Sequence, residues 1–439
     1  MLKITKFGGS SVANATQFKK VKDIVLSDPA RKYVVVSAPG RQDASDSKIT
    51  DLLYLLDAHI QYHVDASNVF YLIKDRFMAI KEELGLKQPI EDELDEMYKN
   101  LKKMSQDEIV SRGEYFCAKL MAEYLGYDFV DAKDVIRFKL DKTVDMEVTK
   151  KNLISKCAQY DHFVFPGFYG STTNGRIQVF SRGGGDITGA ILAGALEADV
   201  YENWTDVSGF LMADPRLVEN PKEITHITYT ELRELSYMGA SVLHEEAIFP
   251  VKEKNIPIHI LNTNRPQDKG TYIQDITNEK SKYAITGIAG KKDFTSIYIY
   301  KKHMSNEVGF IRKVLSILES YNISIEHIPS GIDSFSVVVE SKEIQDCLYE
   351  ILTRIKKELK PDELKVIDDL ALISTVGKNM SDKPGTSGRL FSALGKENIN
   401  IRMIAQSSSE INITVGVKKK DFNRTIQAIY DEFVTKEEK

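Results

Sequence analysis

The lysine, glycines and serines of Lys6-Phe7-Gly8-Gly9-Ser10-Ser11 could together handle a phosphate. Residues 3–7 read as a strand that ends near a cation. Two glycines let the backbone approach an anion, and Ser10, Ser11 and Asn14 can cap the following helix, so that free N–H groups and a positive dipole end face the ligand. An ordinary strand, turn and helix is the alternative for this segment alone. Neither Gly-x-Gly-x-x-Gly nor Gly-x-x-x-x-Gly-Lys-Ser/Thr is present here, so the dinucleotide and P-loop fingerprints are missing. A second segment, Ser181-Arg182-Gly183-Gly184-Gly185-Asp186, precedes a helical run. Three consecutive glycines disfavour regular structure by about 1 kcal/mol each in a helix, which points to a backbone that must come close to something. Arg182 could grip a carboxylate with two hydrogen bonds, and Asp186 could orient a cation or approach a metal-bound phosphate. In a third, running from Trp204 to Arg216, an aromatic, hydroxyls, carboxylates and a Pro-Arg turn suit a nucleotide better than a core.

Elements that would place these groups are legible from hydrophobic pattern. Residues 3–7, 33–37, 128–130, 163–166, 199–202 and 257–261 are short, β-branched and mostly apolar on both faces, as buried parallel strands are. Helical patterns fall between them, so residues 1–285 are predicted to be α/β with a mainly parallel sheet between helices. The third segment then sits where such sheets bind ligands, beyond the carboxyl end of a strand. Residues 57–125 turn to long, charged amphipathic helices, among them 65–84 and 90–103, read as an inserted or flanking layer.

The last third repeats. Shifted by 76 residues, 315–328 falls on 391–404 with six of fourteen positions identical, and Met304, Gly309 and Val339 fall on Met380, Gly385 and Val415. Each copy, over 294–360 and 370–439, reads as a small α+β unit with strands expected at 323–328 and 399–404. Two copies can bury faces that one would leave wet, side by side or interleaved.

Composition narrows the function classes. At 439 residues the chain is long enough for about three domains. With 42% hydrophobic and 28% charged residues it is an ordinary globular composition, not a disordered one. A net charge of −5 offers no basic field for a nucleic acid or an anionic membrane. No apolar run is long enough to span a bilayer and the start shows no signal-peptide pattern, so a cytoplasmic location is expected. Cys117, Cys157 and Cys347 lie far apart, without the spacing of a zinc site or disulfide frame, and read as packing residues. His59 and His63 have helical spacing but no Glu completes a metal set, so no resident metal is predicted. His244 reads as structural.

Lys6–Val12, Ser-Arg-Gly-Glu at 111–114, Arg-Gly-Gly-Gly-Asp at 182–186, Trp-Thr-Asp-Val-Ser-Gly with Asp-Pro-Arg, and Met-Gly-Ala-Ser-Val-Leu-His at 238–244 stand in the order seen in aspartokinases of the amino-acid-kinase family, and nearly the whole chain resembles them. The C-terminal repeats resemble that family's two ACT domains, with a βαββαβ, ferredoxin-like fold, and the chain resembles the monofunctional form. The resemblance implies ATP-dependent phosphorylation of L-aspartate to 4-phospho-L-aspartate, the first step toward lysine, threonine and methionine, with Mg²⁺ arriving on ATP. By the same resemblance, Lys6 contacts the transferring phosphoryl group and Asp186 orders the centre. Ser37, Thr50, Glu114 and Arg182 hold aspartate. Gly8, Gly9, Thr205, Asp206, Phe210, Asp214 and Arg216 join Lys6 around the nucleotide.

Residues 325–339 resemble lysine-regulated members, alone or with threonine. Met304, Phe310, Ser324 and Ser330 are the implied effector contacts, and a homodimer or dimer of dimers through the repeats is implied. Two positions depart from the common pattern. Gly185 stands where many relatives carry serine, and Ser241 where many carry a lysine that reaches ATP; Lys252 or Lys254 is the expected substitute. The residue chemistry suits this reading, because a side-chain carboxylate is already ionised at neutral pH and needs no general base. Two rivals stay open: a kinase of this fold with another carboxylate or carbamate acceptor, and a non-catalytic amino-acid sensor.

Overall fold

The computed structural model describes all residues except 182, 241–242, 244–247, 276–281, 382 and 438–439. It divides into two units. One comprises Met1–Phe210, Thr225–Tyr229 and Val242–Asn278; the other comprises Leu211–Ile224, Thr230–Ser241 and Glu279–Lys439.

Eight strands form the sheet of the first unit: β1 (Lys3–Phe7), β2 (Tyr33–Val36), β3 (Asp128–Phe129), β4 (Phe163–Pro166), β5 (Val200–Thr205), β6 (His226–Ile227), β7 (Ile258–Asn262) and β8 (Thr271–Ile273). Their order is β6-β8-β7-β5-β1-β2-β4-β3. Pairing is parallel from β7 through β3, and β8 runs antiparallel to β7. Every residue of β2 and β4 is buried, which is why these strands are apolar on both faces. A small separate sheet, Arg137–Phe138, Tyr169–Thr172 and Ile177–Val179, has no clear periodicity in the sequence.

Helices α1 (Ala15–Leu26), α2 (Ile49–Gln61), α3 (Ser67–Leu84), α4 (Ile90–Asn100) and α5 (Gln106–Leu125) contribute one apolar cluster that includes Phe18, Phe70, Phe77 and Phe116. Helix α5 starts on a reciprocal cap, with the Ser105 hydroxyl accepting from the Glu108 N–H and the Glu108 carboxylate accepting from the Ser105 N–H. Three further helices, α6 (Met146–Cys157), α7 (Gly184–Leu196) and α8 (Tyr229–Tyr237), follow in the chain. On one face of β5 the carboxylate of Glu202, 1% exposed, accepts from Arg31 at 2.8 and 3.3 Å and from the indole N–H of Trp204 at 2.9 Å, with Lys3 at 3.0 Å. A buried charge is tolerated because several donors surround it, and they hold Glu202 below the usual carboxylate range against its burial. Trp204 is therefore a core residue stacked on Phe7, not part of a nucleotide surface.

In the second unit β9 (Gly287–Tyr300), β10 (Ser334–Glu340), β11 (Glu363–Val376), β12 (Met403–Gln406) and β13 (Asn412–Lys418) form an antiparallel sheet in the order β10-β9-β11-β13-β12. Its two long strands belong to both repeats. The first part of β9, 287–291, pairs with the end of β11, which also pairs with β13; after a bulge, 294–300 pairs with β10 and the start of β11. The repeats thus interleave. Helices α9 (Phe310–Ser320) and α10 (Leu348–Leu359) bury Phe310, Val314, Ile317, Ile351 and Ile355 against Ile297, Phe335 and Val337, a helical period meeting a strand period. The second repeat carries α11 (Thr386–Lys396) and α12 (Phe422–Tyr430).

One expected strand is missing. Residues 323–328 form no strand: they meet β10 at the isolated bridge His327↔Val338, a second bridge, Ser330↔Phe335, follows, and between them Pro329, having no N–H, only accepts from the Ser336 N–H. The segment 230–241 is tied to the repeats: buried Glu231 accepts from the Thr286 hydroxyl and the Lys378 N–H, both at 2.6 Å, and Glu234 accepts from Asn412.

Candidate active site

The parallel strands set the site. Gly8, Ser37 and Thr205 all stand at or just beyond the carboxyl ends of adjacent strands β1, β2 and β5. The Gly8 N–H donates to the Trp204 carbonyl at 3.0 Å, and residues 9–12 form one tight turn before α1. The N–H groups of Gly9 and Ser10 have no partner among the described residues, as the first donors of a helical turn do not. Capping is divided differently from the sequence reading. Asn14 caps α1 through the Gln17 N–H, while the Ser11 hydroxyl is buried on Thr263.

Gly40 closes the cradle. Its N–H donates to the Gly9 carbonyl at 2.8 Å, and a β-carbon there would lie 2.6 Å from the Gly9 carbonyl carbon and 2.8 Å from the Ser10 nitrogen. Arg76, from α3, holds the same loop by donating to the Gly40 carbonyl and to the Asp46 carboxylate. Gly40→Ala is expected to lower kcat/KM for ATP about ten- to a hundred-fold, the scale of a roughly 1 Å misplacement. Steady-state kinetics check this, and values within about two-fold of the unmodified protein would refute the cradle.

Lys6, 7% exposed, points from β1 to the first turn of α7, where its Nζ lies 2.5 Å from Asp186 Oδ1. Asp186 keeps partial access to solvent, and among the described residues only its Oδ1 is engaged by neighbouring side chains. Gly185, the departure from serine, sits where a β-carbon would be 2.7 Å from Ser37 Oγ and 3.3 Å from Lys6 Cε, so its lack of a side chain makes room for both.

Glu114 lies on α5, 5% exposed, and accepts the backbone N–H of Ala38 beside Ser37. Its Oε2 is buried without a hydrogen-bond partner among the described residues, and desolvation pushes its pKa up to about 8. A buried, half-satisfied carboxyl is what a cationic ligand group would complete. Thr50 stands in the first turn of α2, whose Ile49 N–H donates to the Pro39 carbonyl.

Other sequence-assigned residues are placed as follows. Thr205 is half-buried and hydrogen-bonds Asp206, which is exposed; Phe210 is 3% exposed, with its N–H on the Thr271 hydroxyl. Asp214 and Arg216 belong to the second unit and pair with each other at 2.6 Å. Arg182, Ser241 and His244 lie outside the described residues. Both expected substitute cations have partners within the protein. Lys254 pairs at 2.9 Å with Glu197, which ends α7 at the opposite end from Asp186, and Lys252 lies over the Tyr229 ring. In the second unit Met304 and Phe310 are core residues, whereas Ser324 and Ser330 are exposed.

Sequence reasoning passed over Arg76 and Asn203. Asn203 faces Lys6 in register across β5 and β1, and a polar residue in an otherwise buried strand was the available signal. Among the described residues no three His, Cys, Asp or Glu side chains cluster as metal ligands, and no helix is long and apolar enough to cross a membrane.

The amino acid kinase family profile matches residues 1–262, and an ACT domain profile matches 373–433. Aspartokinase 3 of Bacillus subtilis (strain 168) is 40% identical over 451 residues, covering 98% of each chain. The crystal structure of an aspartate kinase from Clostridium acetobutylicum, an allosteric enzyme, superposes with a TM-score of 0.93 at 49% identity, covering 98% of this chain and 99% of that one. Aspartokinase III of Escherichia coli, solved with lysine and aspartate, superposes at 0.77 with 27% identity, covering 99% of both chains. With profile, sequence and three-dimensional likeness spanning the whole length, the chain belongs to the aspartokinases, ACT-domain phosphotransferases of the amino acid kinase family that serve amino-acid biosynthesis.

Proposed function

We propose that the chain transfers the γ-phosphoryl group of ATP to the side-chain carboxylate of L-aspartate, giving 4-phospho-L-aspartate and ADP, and that lysine, alone or with threonine, inhibits it through the ACT repeats. The observation that carries this reading is the juxtaposition of Lys6, paired to Asp186, with a cradle of free backbone donors at Gly9 and Ser10. Nearby, the unsatisfied Glu114 carboxyl awaits an ammonium group. The acceptor carboxylate is already the nucleophile. The obstacle is bringing an anion to a polyanion, so the protein's task is charge neutralisation and alignment.

In this reading Lys6 contacts the transferring group while Gly8 and Gly9 shape the backbone around the phosphates. Glu114 and Arg182 hold the α-ammonium and α-carboxylate of aspartate, assisted by Ser37 and Thr50. Thr205, Asp206, Phe210, Asp214 and Arg216 serve the nucleotide. Magnesium bound to ATP would add positive charge at the phosphates. Asp186, with one carboxylate oxygen unclaimed among the described residues, is the residue proposed to face it.

Related structures hold lysine with aspartate, or aspartate with ADP, in Escherichia coli aspartokinase III. This supports the same ligands here, with Met304, Phe310, Ser324 and Ser330 near the effector. Because Met304 and Phe310 are core residues, their backbone rather than their side chains would serve. The proposed division is catalytic over 1–285 and regulatory over 294–360 and 370–439, in a homodimer or dimer of dimers acting in the cytoplasm.

Coupled ADP release tests the whole reading. Release with aspartate but not with glutamate or without acceptor is expected, and lysine or lysine plus threonine should suppress it. Glutamate preference, or no acceptor dependence, would reject the substrate. Indifference of both activity and melting temperature to lysine, threonine and their mixture would reject the regulation.

A further inference from the structure

We infer that Asn203 is a positioning residue for phosphoryl transfer, holding the Asp186 carboxylate in place when Lys6 turns to the phosphoryl group. Strands β1 and β5 run parallel with Lys6 opposite Asn203, so the two side chains stand level on one face of the sheet. The Asn203 amide is 3% exposed and used on both ends: its oxygen faces Lys6 Nζ at 3.4 Å and its nitrogen donates to Asp186 Oδ1 at 2.9 Å. Only this orientation of the amide satisfies a cationic donor and an anionic acceptor together. Two residues earlier on the same face, the Tyr201 hydroxyl donates to the Asp186 backbone carbonyl at 3.0 Å. One strand therefore holds both the main chain and the side chain of Asp186.

The arrangement answers a problem in the reading of Lys6 and Asp186 proposed above, on which this inference rests. Lys6 is paired to Asp186. If it moves toward a phosphoryl oxygen, the carboxylate loses its closest partner, and without another donor it would be free to rotate or to draw the ammonium back. The amide supplies that donor without adding charge. A carboxylate at position 203 would accept from Lys6 equally well but could not donate to Asp186 and would repel it.

Two variants separate these roles. Asn203→Leu, which keeps the branching at the γ-carbon but has no polar atoms, should lower kcat about ten- to a hundred-fold with KM for aspartate and ATP within about three-fold. Asn203→Asp should lose at least as much kcat although it keeps the acceptor for Lys6. A kcat within about three-fold of the unmodified chain in either variant, or KM values rising as steeply as kcat falls, would overturn the proposal. A crystal structure of the ligand-free Asn203→Leu chain should show the Asp186 carboxylate rotated from its place beside position 203; if that variant does not fold, the Asn203→Asp chain serves. An unmoved Asp186 would also overturn it. Should the unmodified chain release no ADP with aspartate, the catalytic reading fails instead, and the crystallographic comparison alone decides whether Asn203 orients Asp186.

Discussion

Replacing Lys6 by methionine is expected to lower kcat by roughly 10²–10³-fold, the scale seen when one preorganised donor to a developing anion is removed. Lys6 is 7% exposed and sits beside the strand end that leads into the cradle, so water is poorly placed to substitute for it. Structural damage should be modest. Asp186 retains the Asn203 donor and partial solvent access, so its carboxylate is not left buried and alone. Lys6→Arg is not expected to rescue, because a planar guanidinium cannot take the place of a compact ammonium set between the Asp186 carboxylate and the Asn203 amide oxygen. Aspartate-dependent ADP release, with a thermal melt as the folding control, checks this. Turnover of a folded Lys6→Met protein within about ten-fold of the unmodified one would remove Lys6 from the chemistry.

The second large effect is a pH dependence of aspartate binding. With burial raising Glu114 to about 8, the free enzyme near pH 6.5 holds this carboxyl mostly protonated. The ammonium of a free amino acid stays charged throughout this range, and it pairs only with the ionised form. KM for aspartate should therefore fall as pH rises, roughly fifteen-fold between about pH 6.5 and 8 if nothing else titrates. The surroundings support that assignment. Arg112 is the cation that favours ionisation, while Tyr54, Cys117 and Tyr169, the other titratable groups that sense Glu114, have their own ionisation pushed up by burial. In Glu114→Gln the aspartate KM should be higher and nearly flat with pH; a slope that survives the substitution would assign the titration elsewhere.

Stability moves in the opposite sense. A carboxyl with a raised folded pKa makes ligand-free protein progressively less stable as pH climbs from the unfolded value near 4.5 to the folded value near 8. The melting advantage of Glu114→Gln should accordingly grow over that window and then level off. Saturating aspartate should shrink it, because the bound ammonium stabilises the ionised form.

Much of this architecture was visible in residue pattern. Strands such as Tyr33–Val36 and Phe163–Pro166 are apolar on both faces because they are covered on both, and that condition writes itself into consecutive residues. The 76-residue repeat likewise showed that the last third is built twice. What pattern could not convey was partition. Residues 287–291 pair with the second repeat although they precede the first, and the choice of a distant partner strand leaves no local mark.

The same limit applies within the site. Lys6 and Asp186 belong to segments whose composition is odd enough to attract notice, whereas Glu114 entered only through the family resemblance. Asn203 and Arg76 sit in ordinary-looking elements and acquire meaning only from what β1 and the 39–48 loop place beside them. Trp204 misled for the converse reason. An aromatic beside hydroxyls and carboxylates resembles a base-stacking surface, yet alternation along β5 turns it to Phe7 and Glu202.

That inward turn gives the protein a built-in optical probe. Trp204 is the only tryptophan in the chain. Its carbonyl accepts from Gly8, its indole donates to Glu202, and Arg31 lies 5.3 Å from its ring. Fluorescence excited beyond the tyrosine band therefore originates from one place, a single residue along the strand from Asn203. Spectral change on nucleotide addition reports the strain that ligands impose on the junction of β1 and β5, without a dye or an engineered label.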